Sequence, residues 1–264
     1  MNKRFIAIVL VLTLCASLCG CGTTVQVDSA KKTFTVGFDA NFPPYGYMDE
    51  SGEYVGFDLD LAAEVCARNG WEVVYQPIDW DSKDMELSSG NIDCIWNGFT
   101  MTEERMQQYE WSTPYVDNSQ VFVVAKDSGV TDQSGLAGLN VAVQTASSAL
   151  DALESEDCAD LTASFGELTV VPDYNTAFLN LESGAADAVA LDIGVAQYQV
   201  AQRGDAYVIL DDALVTEQYG VGFLKGNTEL RDTVQKTLDE MAADGKFMEI
   251  AKKWDLAGCV CLGK

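Results

Sequence analysis

Histidine is absent from all 264 residues of this chain. That removes the side chain that most often serves as a general base near neutral pH and as a metal ligand. A Ser-His-Asp or Cys-His catalytic site is excluded. Positive charge is scarce too: 16 Lys and Arg stand against 41 Asp and Glu, a formal net charge of −25. Nucleic acids and anionic membranes are held by basic surfaces, so this acidic excess argues against both as binding partners. There is no Gly-rich phosphate loop, so any energy for the chain's function comes from partners. Low-complexity stretches and tight repeats are missing. What is present, 48% hydrophobic residues and five Trp, argues for a packed globule.

The one long apolar run, Phe5 to Leu14, follows Lys3 and Arg4. It has the size of a secretory h-region and is too short for a membrane span. Leu18-Cys19-Gly20-Cys21 comes next and resembles a bacterial lipobox. The resemblance implies removal of residues 1–20 as a signal peptide and lipidation of Cys21. An ordinary signal peptide and an uncleaved anchor remain as alternatives. All three place the folded part outside the cytoplasmic membrane, and lipidation of Cys21 implies that it is held at the outer face. Removing Lys3 and Arg4 takes the charge from −25 to −27.

Of eight cysteines, Cys15, Cys19 and Cys21 belong to the export segment, leaving Cys66, Cys94, Cys158, Cys259 and Cys261. That number is odd, so at least one stays unpaired or pairs between chains. Cys66 and Cys94 fall in apolar element interiors and read as small buried hydrophobes. Cys259-Val260-Cys261 has no second pair at zinc-site spacing, so no metal site is expected.

Residues 22–32 are polar and aperiodic, a tether. From Thr33 strands and helices alternate. Thr33–Phe38, Trp71–Gln76, Ile92–Trp96, Val121–Ala125, Val141–Gln144, Leu168–Val171, Ala188–Leu191, Tyr207–Leu210 and Gly220–Leu224 read as strands. Asp58–Arg68, Thr102–Gln107, a segment from Ser147–Ser148 through Leu153, Thr176–Glu182, Gly194–Gln202, Thr228–Ala243 and Phe247–Trp254 read as helices. Thr102 is a fitting N-cap, with Glu103 and Glu104 in the first turn where the helix dipole favours them. The rhythm predicts an α/β fold with helices on both sheet faces.

Asp39-Ala40-Asn41-Phe42-Pro43-Pro44-Tyr45 and Val55-Gly56-Phe57-Asp58-Leu59-Asp60-Leu61 resemble the polar amino-acid solute-binding proteins of ABC importers, extracellular family 3. So do, in order, Ser89-Gly90-Asn91-Ile92-Asp93, Gly98 through Arg105, Ser112-Thr113-Pro114-Tyr115, Leu136 through Gln144, Gly184 through Val189, and Tyr219-Gly220-Val221-Gly222-Phe223. The resemblance covers residues 33–255. It implies a two-lobed periplasmic-binding-protein fold of type 2, with a ligand cleft between lobes. Lobe 1 is expected at 33–117 plus 219–255, lobe 2 at 118–218 and a tail at 256–264. The crossings fall near Val116–Gln120 and Leu214–Tyr219.

The resemblance also implies a site. A free amino acid carries a carboxylate and an ammonium, and burying both needs opposite charges at fixed positions. Arg105 is expected on the carboxylate, since its planar fork binds both oxygens; a surface helix arginine is the plainer alternative. Gly98, Thr100 and Asn97 add backbone and polar contacts, and Ser147 and Ser148 open a helix whose free N–H groups face the same carboxylate. The family pattern has Gly where this chain has Ala146, which bears on the local turn. Asp192 is expected to receive the ammonium, or to cap the helix near Gly194, or both. Phe42 and Trp80 wall the ligand side chain unless they are plain core. Asp39 and Gln144 lie where specificity varies, and an acid at Asp39 leaves neutral polar or cationic amino acids open. Tyr45 and Asp58 serve the surrounding fold. No catalytic residue, cofactor or metal is expected, and the chain is expected to be a monomer. Its implied partners are a free amino acid, ABC permease subunits with a cytoplasmic ATPase, and the membrane through its lipid. Alternatives are an amino-acid sensor domain for a membrane receptor, or a cyclohexadienyl-dehydratase-like enzyme.

Overall fold

A computed structural model of the chain describes residues 32–263. The lipobox, with Cys21, lies outside the described residues. The chain enters on β1 (Thr33–Phe38), turns through β2 (Asn41–Phe42), β3 (Gly46–Met48) and β4 (Tyr54–Val55), and runs into α1 (Phe57–Asn69). β5 (Glu72–Pro77), α2 (Lys83–Ser89), β6 (Cys94–Ile95), α3 (Glu103–Gln108) and β7 (Tyr109–Trp111) follow. β5 and β6 flank β1 in parallel. A parallel pair needs a long crossover, and α1 supplies the one between β1 and β5. α1 buries Phe57, Leu59, Leu61, Val65 and Cys66 and stops at Gly70, where φ is 68°.

β8 (Val116–Ala125) begins the second half. After it come β9 (Asn140–Gln144), α4 (Ser148–Glu154), α5 (Ala159–Ser164), β10 (Glu167–Val171), α6 (Tyr174–Ser183), β11 (Ala188–Asp192), α7 (Ile193–Gln202), β12 (Tyr207–Ile209) and β13 (Val215–Tyr219). The sheet order is β10-β9-β11-β8-β12, with β13 also on β8. Val121 to Val124 and Ala188 to Leu191 are buried on both strand faces, which explains their unbroken apolar runs.

β14 (Gly222–Leu224) returns to the first sheet, completing the order β5-β1-β6-β14-β7. α8 (Thr228–Asp244) and α9 (Lys246–Lys253) pack beside α1. Two segments cross between the sheets: the start of β8, and β13. They pair antiparallel, from Val215 opposite Gln120 to Tyr219 opposite Val116. The base of this ribbon is tied to the C-terminal end of the chain. Val260 bridges Val116, Asp117 N donates to Cys259 O, and Cys261 N donates to Tyr115 O.

The helix starts and stops follow the sequence expectation closely. The short strands β2 to β4, and α2, α5 and β7, were not expected from it. They are too short for hydrophobic periodicity to mark them. At α4 the expected helix starts at Ser148 with Ser147 as its N-cap, Ser147 Oγ accepting from Leu150 N at 3.1 Å.

Gly56 sets the entry to α1 and through it Asp58. Its φ is 151°, and a Cβ there would lie 2.1 Å from the carbonyl oxygen of Tyr45. Gly56→Ala is expected to destabilise the fold by about 3 kcal/mol, measured by urea unfolding. An unchanged midpoint would contradict the described turn.

Candidate ligand-binding site

Phe42, Trp80, Gly98, Thr100, Arg105, Gln144, Ser147, Ser148 and Asp192 line one enclosed cavity of about 10 Å³ between the two halves. That space holds about one water molecule. Anything larger enters only if the halves part or side chains move.

Arg105 is the third residue of α3, and its N–H donates to the N-cap hydroxyl of Thr102. The guanidinium lies 5.2 Å from the Phe99 ring centre. Its Nη2 donates to Asp151 Oδ2 at 2.9 Å and to Ala146 O at 3.1 Å. Asp151 belongs to α4, so this ion pair joins the two halves. The sequence did not point to Asp151, nor to Lys83. Lys83 Nζ donates to the carbonyls of Trp80 and Ala146 at 3.3 and 3.4 Å. Burial, then the nearby Arg105 charge, pushes its pKa down to about 8. Ala146 has φ 51°, so the turn keeps the left-handed form that glycine adopts freely, and its carbonyl faces both cations.

Asp192 ends β11 and stands at the N-cap of α7, but its side chain makes no capping hydrogen bond. Its carboxylate turns into the cleft instead. Oδ1 accepts from Asn118 Nδ2 at 2.8 Å, Gln120 Nε2 at 2.6 Å and the Tyr219 hydroxyl at 2.5 Å. Beside it lies Glu217, which no motif singled out. Glu217 Oε1 accepts from Thr100 Oγ1 (2.8 Å), Asn118 Nδ2 (2.6 Å), Gln120 Nε2 (2.8 Å) and Ser148 Oγ (3.2 Å). The alternation of the crossing segment was the available signal: Glu217 and Tyr219 share a strand face, and Tyr219 touches Asp192.

The remaining expected residues divide. Ser148 reaches Thr100 across the cleft at 3.1 Å. Ser147 is committed to its own turn, donating to Gln144 O while it caps α4. Asp39 and Asn97 do not line the enclosed cavity. Asn97 Oδ1 accepts from Asp39 N, and Asp39 Oδ2 accepts from Gln144 Nε2 at 2.7 Å. Asp39 and Trp80 instead border an adjoining cavity of about 540 Å³, with Asp79, Asp81, Glu86 and Asp173 on its walls. Trp80 and the Asp39–Gln144 pair thus stand between a small inner chamber and an acidic outer one.

Burial raises the pKa of Asp39 to about 6 and that of Asp192 to about 7, Glu217 adding to the second shift. Asp58 is also pushed to about 7 by burial, although its Oδ2 accepts from Gly98 N at 2.6 Å.

Two α/β halves joined by a two-segment ribbon, with a guanidinium and a carboxylate across the closed cleft, define a type 2 periplasmic-binding protein. The family model for bacterial extracellular solute-binding proteins, family 3, matches residues 34–257, and the chain belongs to that family. It is 27% identical to the arginine-binding extracellular protein ArtP of Bacillus subtilis, over 96% of this chain and 98% of that one. It is 26% identical to the L-cystine-binding protein TcyJ of Escherichia coli K12, over 84% of this chain and 82% of that one. The crystal structure of an ABC uptake transporter substrate-binding protein from Streptococcus pneumoniae with bound histidine superposes with a TM-score of 0.81. It is 35% identical, covering 84% of this chain and 92% of that one.

Two outcomes follow from this geometry. Asp39, Asp58 and Asp192 hold protons more tightly folded than unfolded, the folded values of about 6 to 7 standing above 3.8. Between these values the folded chain binds more protons, so its stability falls as pH rises. The ligand-free protein is expected to gain on the order of 2 kcal/mol on going from about pH 7.5 to about pH 5. Chemical denaturation at the two pH values checks this, and a loss of stability on acidification overturns it. Ala146→Gly is expected to stabilise the ligand-free protein by about 1 kcal/mol by relieving the left-handed alanine, read as a higher melting temperature.

Proposed function

We propose that this chain captures a free polar L-amino acid, neutral or cationic, outside the cytoplasmic membrane and delivers it to an ABC permease. One observation carries the proposal. A buried guanidinium, Arg105, and a buried carboxylate, Asp192, line the same enclosed cavity. The α-carbon of an amino acid bears the complementary pair. The ligand's carboxylate takes the place of Asp151 on Arg105, with Thr100 and Ser148 as hydroxyl donors. Its ammonium goes to Asp192, while Phe42 and Trp80 clasp the side chain. Asp39 and the acidic outer chamber suit a side chain that is neutral or positive at its far end.

The site works by differential affinity. An amino acid that bridges Arg105 and Asp192 binds the closed form better than the open one and shifts the population toward it. The permease then recognises the closed form. No step requires a bond to be made or broken, so the chain acts as a binder and not as an enzyme. The lipid on Cys21 keeps it at the outer face of the membrane, and the monomer is the working unit.

The test is thermal unfolding of refolded residues 22–264 against the twenty amino acids, ornithine and cystine. One or two compounds are expected to stabilise, by about 2.7 kcal/mol at a hundredfold excess over Kd. Arg105→Ala and Asp192→Ala are each expected to abolish the shift while leaving a folded protein. No shift with any compound overturns the proposal. Loss of amino-acid uptake on deletion separates import from sensing.

A further inference from the structure

Asp192 and Glu217 are short of donors and of positive charge. Their oxygens Oδ1 and Oε1 accept from the same two amide nitrogens, Asn118 Nδ2 and Gln120 Nε2. Gln120 Nε2 has two hydrogens but faces three acceptors within 2.9 Å, the third being Ser148 Oγ. The amide oxygens, Asn118 Oδ1 and Gln120 Oε1, are buried and have no donor. Glu217 Oε2 takes no donor from the described residues either. Among the described residues no cation lies within ion-pair distance of either carboxylate; Arg105 is spent on Asp151 and on carbonyls. The groups facing the pair are Tyr219 on β13, Tyr174 on α6, and Thr100 and Ser148. Asp39 and Tyr45 lie further off, and burial pushes the three tyrosines up, so they stay neutral.

A primary ammonium supplies what this node lacks, three N–H donors and one positive charge. Water supplies donors without charge. We propose that Glu217 is a specificity-determining residue: with Asp192 it forms a two-carboxylate seat for the ligand's ammonium, and ligand binding expels a proton held on Asp192. The proton leaves a carboxyl oxygen for the buffer, and the ammonium keeps all of its own. Burial, with the Glu217 charge beside it, raises the Asp192 pKa to about 7, so the empty site retains a proton near neutrality. The inference rests on the amino-acid reading above and adds to it a second anchor on the crossing ribbon.

Calorimetric titration of the refolded protein in two buffers of different ionisation enthalpy gives the proton count. The probe is L-arginine or, should it not bind, whichever amino acid of the panel gives the largest thermal shift, apart from histidine. Wild type is expected to release about half a proton or more near pH 6.5, and to bind roughly tenfold more weakly at pH 5.5 than at pH 8. Glu217→Gln preserves the acceptor shape and removes the charge. It is expected to bind about tenfold more weakly at pH 8, with a smaller proton release and a pH midpoint displaced downward. Equal affinity and equal proton release in the two proteins overturn the proposal while leaving amino-acid capture standing. If Glu217→Gln does not fold, the wild-type count decides, and zero release between pH 6 and pH 7 overturns it. Failure of every amino acid to bind wild type overturns the amino-acid reading itself, and this inference with it.

Discussion

The sharing of Asn118 and Gln120 between two carboxylates is the interaction that ties the crossing ribbon to the floor of the cleft. Asn118 and Gln120 sit on the crossing part of β8, Glu217 opposite Asn118 on β13, and Asp192 at the end of β11. Three strands therefore meet at one pair of side-chain amides. Thr100 and Ser148 add a hydroxyl from each half. Each buried hydrogen bond to a charged group contributes about 1.5–3 kcal/mol, but the carboxylates repel each other and lack solvent. The node is held firmly and held at a cost, which is the condition for a site that responds to an arriving cation.

The second contact across the cleft is of a different kind. Arg105 is nearly buried, but its partner Asp151 is half exposed. Such a pair is screened on one side and contributes little, of the order of 0–1 kcal/mol. A ligand carboxylate placed inside the cavity would meet the same guanidinium with no water behind it and with the Thr100 and Ser148 hydroxyls in reach. On the proposed reading the internal pair is a weak stand-in for a ligand carboxylate. Its presence still matters for the empty protein, because it gives the closed form a contact that needs no ligand. A ligand that adds contacts to the closed form would shift the population toward it on the proposed reading.

Much of the fold was legible because its cues are local. Asn69-Gly70 ends α1 in a left-handed turn, Thr102 caps α3, and the apolar runs at Val121–Ala125 and Ala188–Leu191 are strands buried on both faces. The helix starts that carry Arg105 and Ser148 were legible for the same reason, while Thr100 entered through the family resemblance. What escaped was set by tertiary contact. Glu217 lies in a segment that reads as a connection; its alternation with Tyr219 hints at a shared face, but the register with β8 that brings it to Asp192 is set by tertiary contact. Lys83 sits in a short helix without apolar periodicity, and only the fold brings it to the carbonyl of Ala146. Ser147 was legible as a helix start, and that role engages its hydroxyl at the cavity wall.

Carboxyls with raised pKa in a cleft often mark a catalytic acid, and Asp39 and Asp192 both carry that mark. The hydrogen bonds here suit a different use. A general acid needs its proton-bearing oxygen free and aimed at a leaving group. Asp192 Oδ1 instead accepts three hydrogen bonds, and Glu217 Oε1 accepts four. Asp39 is set into a backbone turn at Asn41 and bound to Gln144. All are oriented as acceptors by fixed donors, an arrangement suited to holding a positive group still. In a chain without histidine, burial is the main cause of the raised pKa values of Asp39 and Asp192, the Glu217 charge adding at Asp192, and a positive group placed beside them would offset that burial.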